Sequence, residues 1–230
     1  METPGTTRVN KYIAHATGLS RREVDNAITA GRVTVNGQKA AMGSQVNPGD
    51  DVQIDGKTVG TAHSYTYLIL NKPVGYVCSR RRQGEYPTIY ELLPSDQQKL
   101  KAVGRLDRDS SGILLLTDDG DLAHRMTHPK FQKRKVYEIT LDNELEPLHQ
   151  QMINDHGVTL EDGHSKLTLE RMSDYNRLQW RVMMSEGRNR QIRRTFAALG
   201  YTVIKLHRTD FGPYALGELA SGKTVETSLR

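Results

Sequence analysis

The sequence predicts an α+β protein in two parts. Residues 1–60 read as a small domain of two short helices and a few strands, and residues 65–230 as a larger domain built on a mixed, largely antiparallel sheet flanked by helices. Helix-cap and hairpin signals crowd the first part. Gly56 to Thr66 mixes Gly, Thr, Ser and His with few large apolar residues and reads as a linker. Beyond it, apolar runs with strand-like alternation are separated by only a few short helical patterns.

From Arg8 onward, Val9, Tyr12, Ile13 and Ala16 recur at helical spacing. A second helix opens at Ser20, with Glu23 placed to close a capping box, and Gly31 ends it. Val33 and Val35 alternate with polar residues into Asn36-Gly37, a hairpin signal, and Asp51 to Ile54 gives another short strand before Asp55-Gly56. In the second part, strands are expected over 65–70, 113–117, 135–141, 166–171, 178–184 and 202–206. Short helices are expected to end at Leu92-Leu93 before Pro94, to span 121–126, and to span 189–199 with Ile192, Phe196 and Leu199 on one face.

The 230 residues suffice for a real core, and 32 Lys and Arg against 27 Asp and Glu leave a net charge of +5. That surplus suits a polyanionic partner without demanding one. Its distribution is more informative. Arg125, Lys130, Lys133, Arg134 and Lys135 lie in a stretch without an acidic residue, and Arg188, Arg190, Arg193 and Arg194 crowd together, as phosphate contacts would. Arg8, Lys11, Arg21, Arg22, Arg32 and Lys39 lie in or beside the first two helices, where they can line one face for RNA.

The single Cys78 excludes an intrachain disulfide and points to a reducing compartment, so a cytoplasmic location is expected. No Cys or His grouping has zinc-site spacing; His124 and His128 are four apart but lack the acidic residue that follows the first His of a zinc-protease helix. No metal is expected. The first residues carry no secretory pattern and no apolar run approaches membrane-spanning length, so no membrane partner is expected either.

Residues 104–120 place a polar loop carrying Asp107 directly before an apolar run that reads as a buried strand. A carboxylate on an Arg-flanked loop at the mouth of a sheet suits covalent or general-base chemistry, since the strand fixes its position and a nearby cation favours its charged form. The same Asp, Ser and Gly also suit an ordinary turn. A glycosidase using Asp107 and Asp109 would need both acids to face one sugar.

Three matches in order, Arg8-Val-Asn-Lys-Tyr-Ile, Ser20-Arg-Arg-Glu and Gly31-Arg-Val-Thr-Val-Asn-Gly, make the first part resemble the RNA-binding domain named after ribosomal protein S-four. Asn71-Lys72-Pro73-Val-Gly75-Tyr76, Gly104-Arg-Leu-Asp107 and Glu186-Gly-Arg-Asn-Arg-Gln-Ile-Arg-Arg194 make the chain resemble the RsuA-type pseudouridine synthases. The resemblance implies a pseudouridine synthase fold and the isomerisation of a uridine in ribosomal RNA, with neither metal nor organic cofactor.

By the same resemblance Asp107 is the catalytic carboxylate, as nucleophile or as base. Tyr137 is the active-site tyrosine, and Arg193 the basic residue paired with Asp107 in an apolar pocket. Arg105 is expected to fill the stack left by the extruded base, and Ile192 to floor the pocket. Arg188 and Arg190 are expected on phosphate, and Lys72 and Gln191 against the substrate. The partner is ribosomal RNA or a ribosomal assembly intermediate, with no nucleotide cofactor and a monomeric enzyme. The phrases 157–163 and 189–194 favour large-subunit RNA, whereas 76–79 and 117–120 favour the small subunit. A non-catalytic RNA-binding assembly factor is the alternative of a different class.

Overall fold

The computed structural model describes residues 6–60 and 64–229. The chain divides into two compact units, one ending at Thr66 and including Asp118–Gly120, the other running from Tyr67 to Thr117 and onward from Asp121.

The first unit carries β1 (Thr7–Arg8), α1 (Val9–Thr17), α2 (Arg21–Thr29), β2 (Val33–Val35), β3 (Gln38–Lys39), β4 (Gln45–Val46), β5 (Val52–Ile54) and β6 (Lys57–Thr58). The Ser20 side chain accepts from the Glu23 amide while Glu23 reaches back to the Ser20 amide, so the capping box forms as the sequence predicts. Asn36 and Gly37 both take positive φ, 51° and 78°, the geometry of a tight hairpin whose twist suits β2 and β3. Val9, Ile13, Val24, Ile28, Val33 and Val52 form the core. The linker expectation needs correction at its start. Lys57–Thr58 pairs with β5 and Val59 is buried in this core, because the Asp55-Gly56 turn folds the chain back. The rest of the expected linker falls partly on residues 61–63, outside the described residues.

The second unit adds β7 (Tyr67–Lys72), β8 (Lys101–Val103), β9 (Ser111–Thr117), α3 (Gly120–Thr127), β10 (Lys135–Leu141), α4 (Pro147–Gln151), β11 (Val158–Leu160), β12 (Gly163–Ser165), β13 (Thr168–Arg171), β14 (Gln179–Met184), α5 (Gln191–Ala197), β15 (Val203–Phe211), β16 (Tyr214–Ala215) and β17 (Thr224–Glu226). Among the described residues, one sheet runs β13-β14-β10-β15-β9-β7-β17, with β16 beside β15 and β8 beside β9. Among the strands of this sheet in the described residues, only β15 and β9 pair in parallel, so the sheet is mixed and largely antiparallel. One face packs Ile139, Leu141, Trp180, Val182 and Phe196 together, and further clusters form around Ile113 and Leu115 and around Leu114 and Leu116. Both faces of β9 are thus covered, which explains its continuous apolar run.

Two local devices shape the sheet at the site. Gly112 has φ 110°, and a Cβ there would lie 2.1 Å from the Arg208 carbonyl oxygen, so only glycine lets β9 approach β15 this closely. A bulge lies opposite Val136 and Tyr137, which pair with Asp210 and Arg208 and leave Thr209 extra. The extra residue changes the parity of the strand and brings Leu206, Arg208 and Phe211 to one pocket. β15 also runs five residues beyond the expected 206, because its second half carries polar side chains that hide the strand pattern.

Candidate active site

The Asp107 loop is held from behind by the strand end before it. Lys72, with no exposed surface, donates from Nζ to the carbonyls of Ser110 at 2.7 Å and of Asp107 and Pro73 at 3.0 Å. The Gly75 amide donates to the Arg108 carbonyl, and Cys78 Sγ bridges the Leu106 amide and carbonyl. The Ser110 amide closes the loop on the Asp107 carbonyl. Burial pushes the Lys72 ammonium below its ordinary range, and Cys78, Asp107 and Asp109 only partly offset this. Lys72 therefore lies away from the cavity where the sequence placed it against substrate; it points inward because its strand is buried on both faces, and it braces the Asp107 loop.

In front of the loop opens a cavity of about 450 Å³, lined by Arg105, Leu106, Asp107, Tyr137, Ile192, Leu206 and Arg208 among others. Volumes of this order hold small ligands. The Asp107 side chain is 39% exposed, so it stands at the mouth and not in an enclosed apolar pocket. Tyr137, 7% exposed, and Ile192, 4% exposed, supply apolar wall. Arg105 is exposed and lines the same cavity from the polar loop.

The arginine pairing also differs from the expectation. Arg190 Nη1 lies 3.7 Å from Asp107 Oδ2 and its fork grips Asp109 at 3.1 and 3.0 Å. Arg193 turns instead to Asp109, with Nε 3.4 Å from Oδ2, and donates to the carbonyls of Asp109 and Val203. The cause lies in the start of α5, where Arg190 sits in the left-handed region at φ 46° and swings its side chain over the loop. Burial alone would raise the Asp109 carboxyl, but the Arg190 hydrogen bond with the charges of Arg193 and Arg190 holds it below the usual range. Asp109 therefore serves as the anchor for both arginines, and it is not free to act as a glycosidase's second acid beside Asp107.

Arg188 and Gln191 are likewise engaged inside the protein. Arg188 donates to the carbonyls of Asp162, Gly163 and His164 and pairs with the Asp162 carboxylate at 3.0 Å, so its guanidinium holds the β11–β12 turn. Gln191, 2% exposed, donates to Ser165 and Glu186 and accepts from the Arg188 amide. The residue that the sequence did not single out is Arg208, 2% exposed and lining the cavity. Its only sequence signal was a cation two residues beyond the expected strand 202–206. In the first unit Arg8, Lys11, Arg21 and Arg22 are exposed, whereas Arg32 is gripped by Asp55 through two hydrogen bonds. His124 and His128 stack edge to face at 4.8 Å, and among the described residues no group of three His, Cys, Asp or Glu could hold a metal.

The RNA pseudouridylate synthase profile matches residues 66–198, and the S4 domain profile matches residues 7–52. The chain belongs to the RNA pseudouridine synthases. A ribosomal small subunit pseudouridine synthase A of Pasteurella multocida is 39% identical, over 94% of both chains. A ribosomal large subunit pseudouridine synthase B of Xanthomonas campestris pv. campestris is 38% identical over 95% of this chain and 47% of its own. A solved pseudouridylate synthase covers 96% of both chains at 33% identity and a TM-score of 0.68. This pseudouridine synthase is accordingly an enzyme with an S4 RNA-binding domain.

Proposed function

We propose that this enzyme isomerises a uridine of ribosomal RNA, with Asp107 as its catalytic carboxylate. The reaction breaks the bond from uracil nitrogen to the ribose carbon, turns the base and joins a base carbon to the same sugar carbon, with no atom added or lost. The observation that carries the reading is the Asp107 loop, braced by Lys72 and opening onto a cavity of nucleoside size. Asp107 stands partly open to solvent, where it can reach a sugar or a base proton. The Tyr137 ring and Ile192 offer apolar surface for an extruded uracil. Arg105 at the rim is suited to stack in the gap the base leaves.

Large-subunit RNA is the preferred target, because the phrases that favour it, 157–163 and 189–194, form the Arg188-bound turn and the Arg190 wall of the cavity. Small-subunit RNA is the second reading, favoured by the 39% identity to a relative that bears that name. A pseudouridine map of both ribosomal RNAs, compared between the parent, Asp107→Asn and a deletion strain, decides. One large-subunit site lost from both altered strains supports the proposal. A small-subunit site moves it to the second reading, and no lost site overturns the ribosomal target.

A further inference from the structure

The cavity is unevenly paired. At its Asp107 end, Arg190 and Arg193 both have carboxylate partners. At the other end Lys133, Lys135 and Arg208 line the wall, and none of the three forms an ion pair among the described residues. Arg208 directs Nε and Nη2 to one acceptor, the Ile113 carbonyl, and lies over the Phe211 ring at 4.7 Å. Its Nη1 makes no hydrogen bond among the described residues. Lys135 donates only to the carbonyls of Lys133 and Glu186, at 3.2 and 3.1 Å. Burial pushes the Lys135 ammonium down and the charge of Arg208 pushes it further, against a partial pull from Glu186.

Two like charges set into a protein wall with only carbonyls and the Phe211 ring as partners are costly unless an anion completes the arrangement. Arg208 follows Leu206 on the cavity side of β15, and the strand that presents Tyr137 to the cavity presents Lys135 as well. Resting on the proposed uridine reading, we propose that Lys135 and Arg208, with Lys133 at the rim, form a subsite for one RNA phosphate next to the uridine held at Asp107. The paired end of the cavity then carries the chemistry, and the unpaired end fixes the backbone of the extruded nucleotide. A planar guanidinium and an ammonium together suit a phosphodiester, which accepts from both.

The test is a cycle between protein and RNA. The full chain and Lys135→Met are titrated with an RNA fragment carrying the mapped uridine, either with natural linkages or with a single neutral methylphosphonate stepped through the phosphates flanking it. At one linkage the parent loses about tenfold in affinity while Lys135→Met loses less than about twofold from the same change, and the salt slope of Lys135→Met falls by about 0.7. Equal losses in both proteins at every linkage overturn the subsite. If the parent forms no pseudouridine in ribosomal RNA, that reading falls, and the same cycle on a short uridine oligonucleotide still decides the subsite. Should Lys135→Met lose its melting transition, Lys133→Gln and Arg208→Gln are read in the same way.

Discussion

Replacing Lys72 with Met keeps the length of the side chain and removes its three donated hydrogen bonds. The Ser110 carbonyl sits in a buried bond and loses its donor outright, at about 2 kcal/mol; the Asp107 and Pro73 carbonyls are part-buried, so water recovers some of each bond and about 1 kcal/mol is lost apiece. Relief from burying an ammonium returns about 1–2 kcal/mol. The net is a loss of about 2–3 kcal/mol, or roughly 5–10 °C in Tm for a chain of this size. The larger effect is on turnover. Asp107 shares the loop that Lys72 clamps, and a misplacement near 1 Å costs about a hundredfold. The expected result is therefore a drop in kcat of about a hundredfold with KM little changed, measured on ribosomal RNA as tritium released from 5-tritiated uridine. A Lys72→Met enzyme with the kcat and Tm of the parent refutes the bracing role.

Asp107→Asn is expected to fold with the parent's circular dichroism and Tm and to bind RNA normally, while turnover falls by at least about a thousandfold; activity near the parent's overturns the assignment. Tyr137→Phe should retain more activity than Tyr137→Leu if the ring against the base is what counts, and equal losses would implicate the hydroxyl. Because the Asp109 carboxyl is held low in the folded chain, its share of stability is present above the ordinary aspartate range and is lost as pH falls through the lowered value. Asp109→Asn should therefore flatten the acid limb of a stability profile, and an unchanged limb would show that the arginine clamp does not couple to folding. In the first unit, changing Lys11, Arg21 and Arg22 to Gln should lower the salt slope of RNA binding by up to about 2, and an unchanged slope would mean that these cations do not meet phosphate.

Elements specified by local chemistry were legible in the sequence. The capping box of α2 and the Asn36-Gly37 hairpin depend on residues within a few positions of one another, and β9 announces itself by an apolar run bounded by a polar loop. Tyr137, Ile192 and Asp107 were found by motif and do share one cavity. What was not legible depends on direction. Lys72 reads as a surface cation until its strand is seen to be covered on both faces, and Arg208 reads as a cation past the end of a strand until β15 is seen to continue through it and carry it beside the cavity after Leu206. The exchange between Arg190 and Arg193 rests on one left-handed residue, which an arginine does not advertise. Short pairs such as β11–β12 and β16 escaped notice because so few residues carry no period to detect.

The bonds that assemble the cavity join distant parts of the chain. Asp109 meets Arg190 and Arg193 across 81 and 84 residues, and Arg208 reaches Ile113 across 95. A ribosome therefore releases the aspartate loop long before it releases the cations that order it, and the S4 segment is free to fold first. Contacts of such separation form slowly. A nascent chain thus holds an RNA-binding module well before it holds a working catalyst.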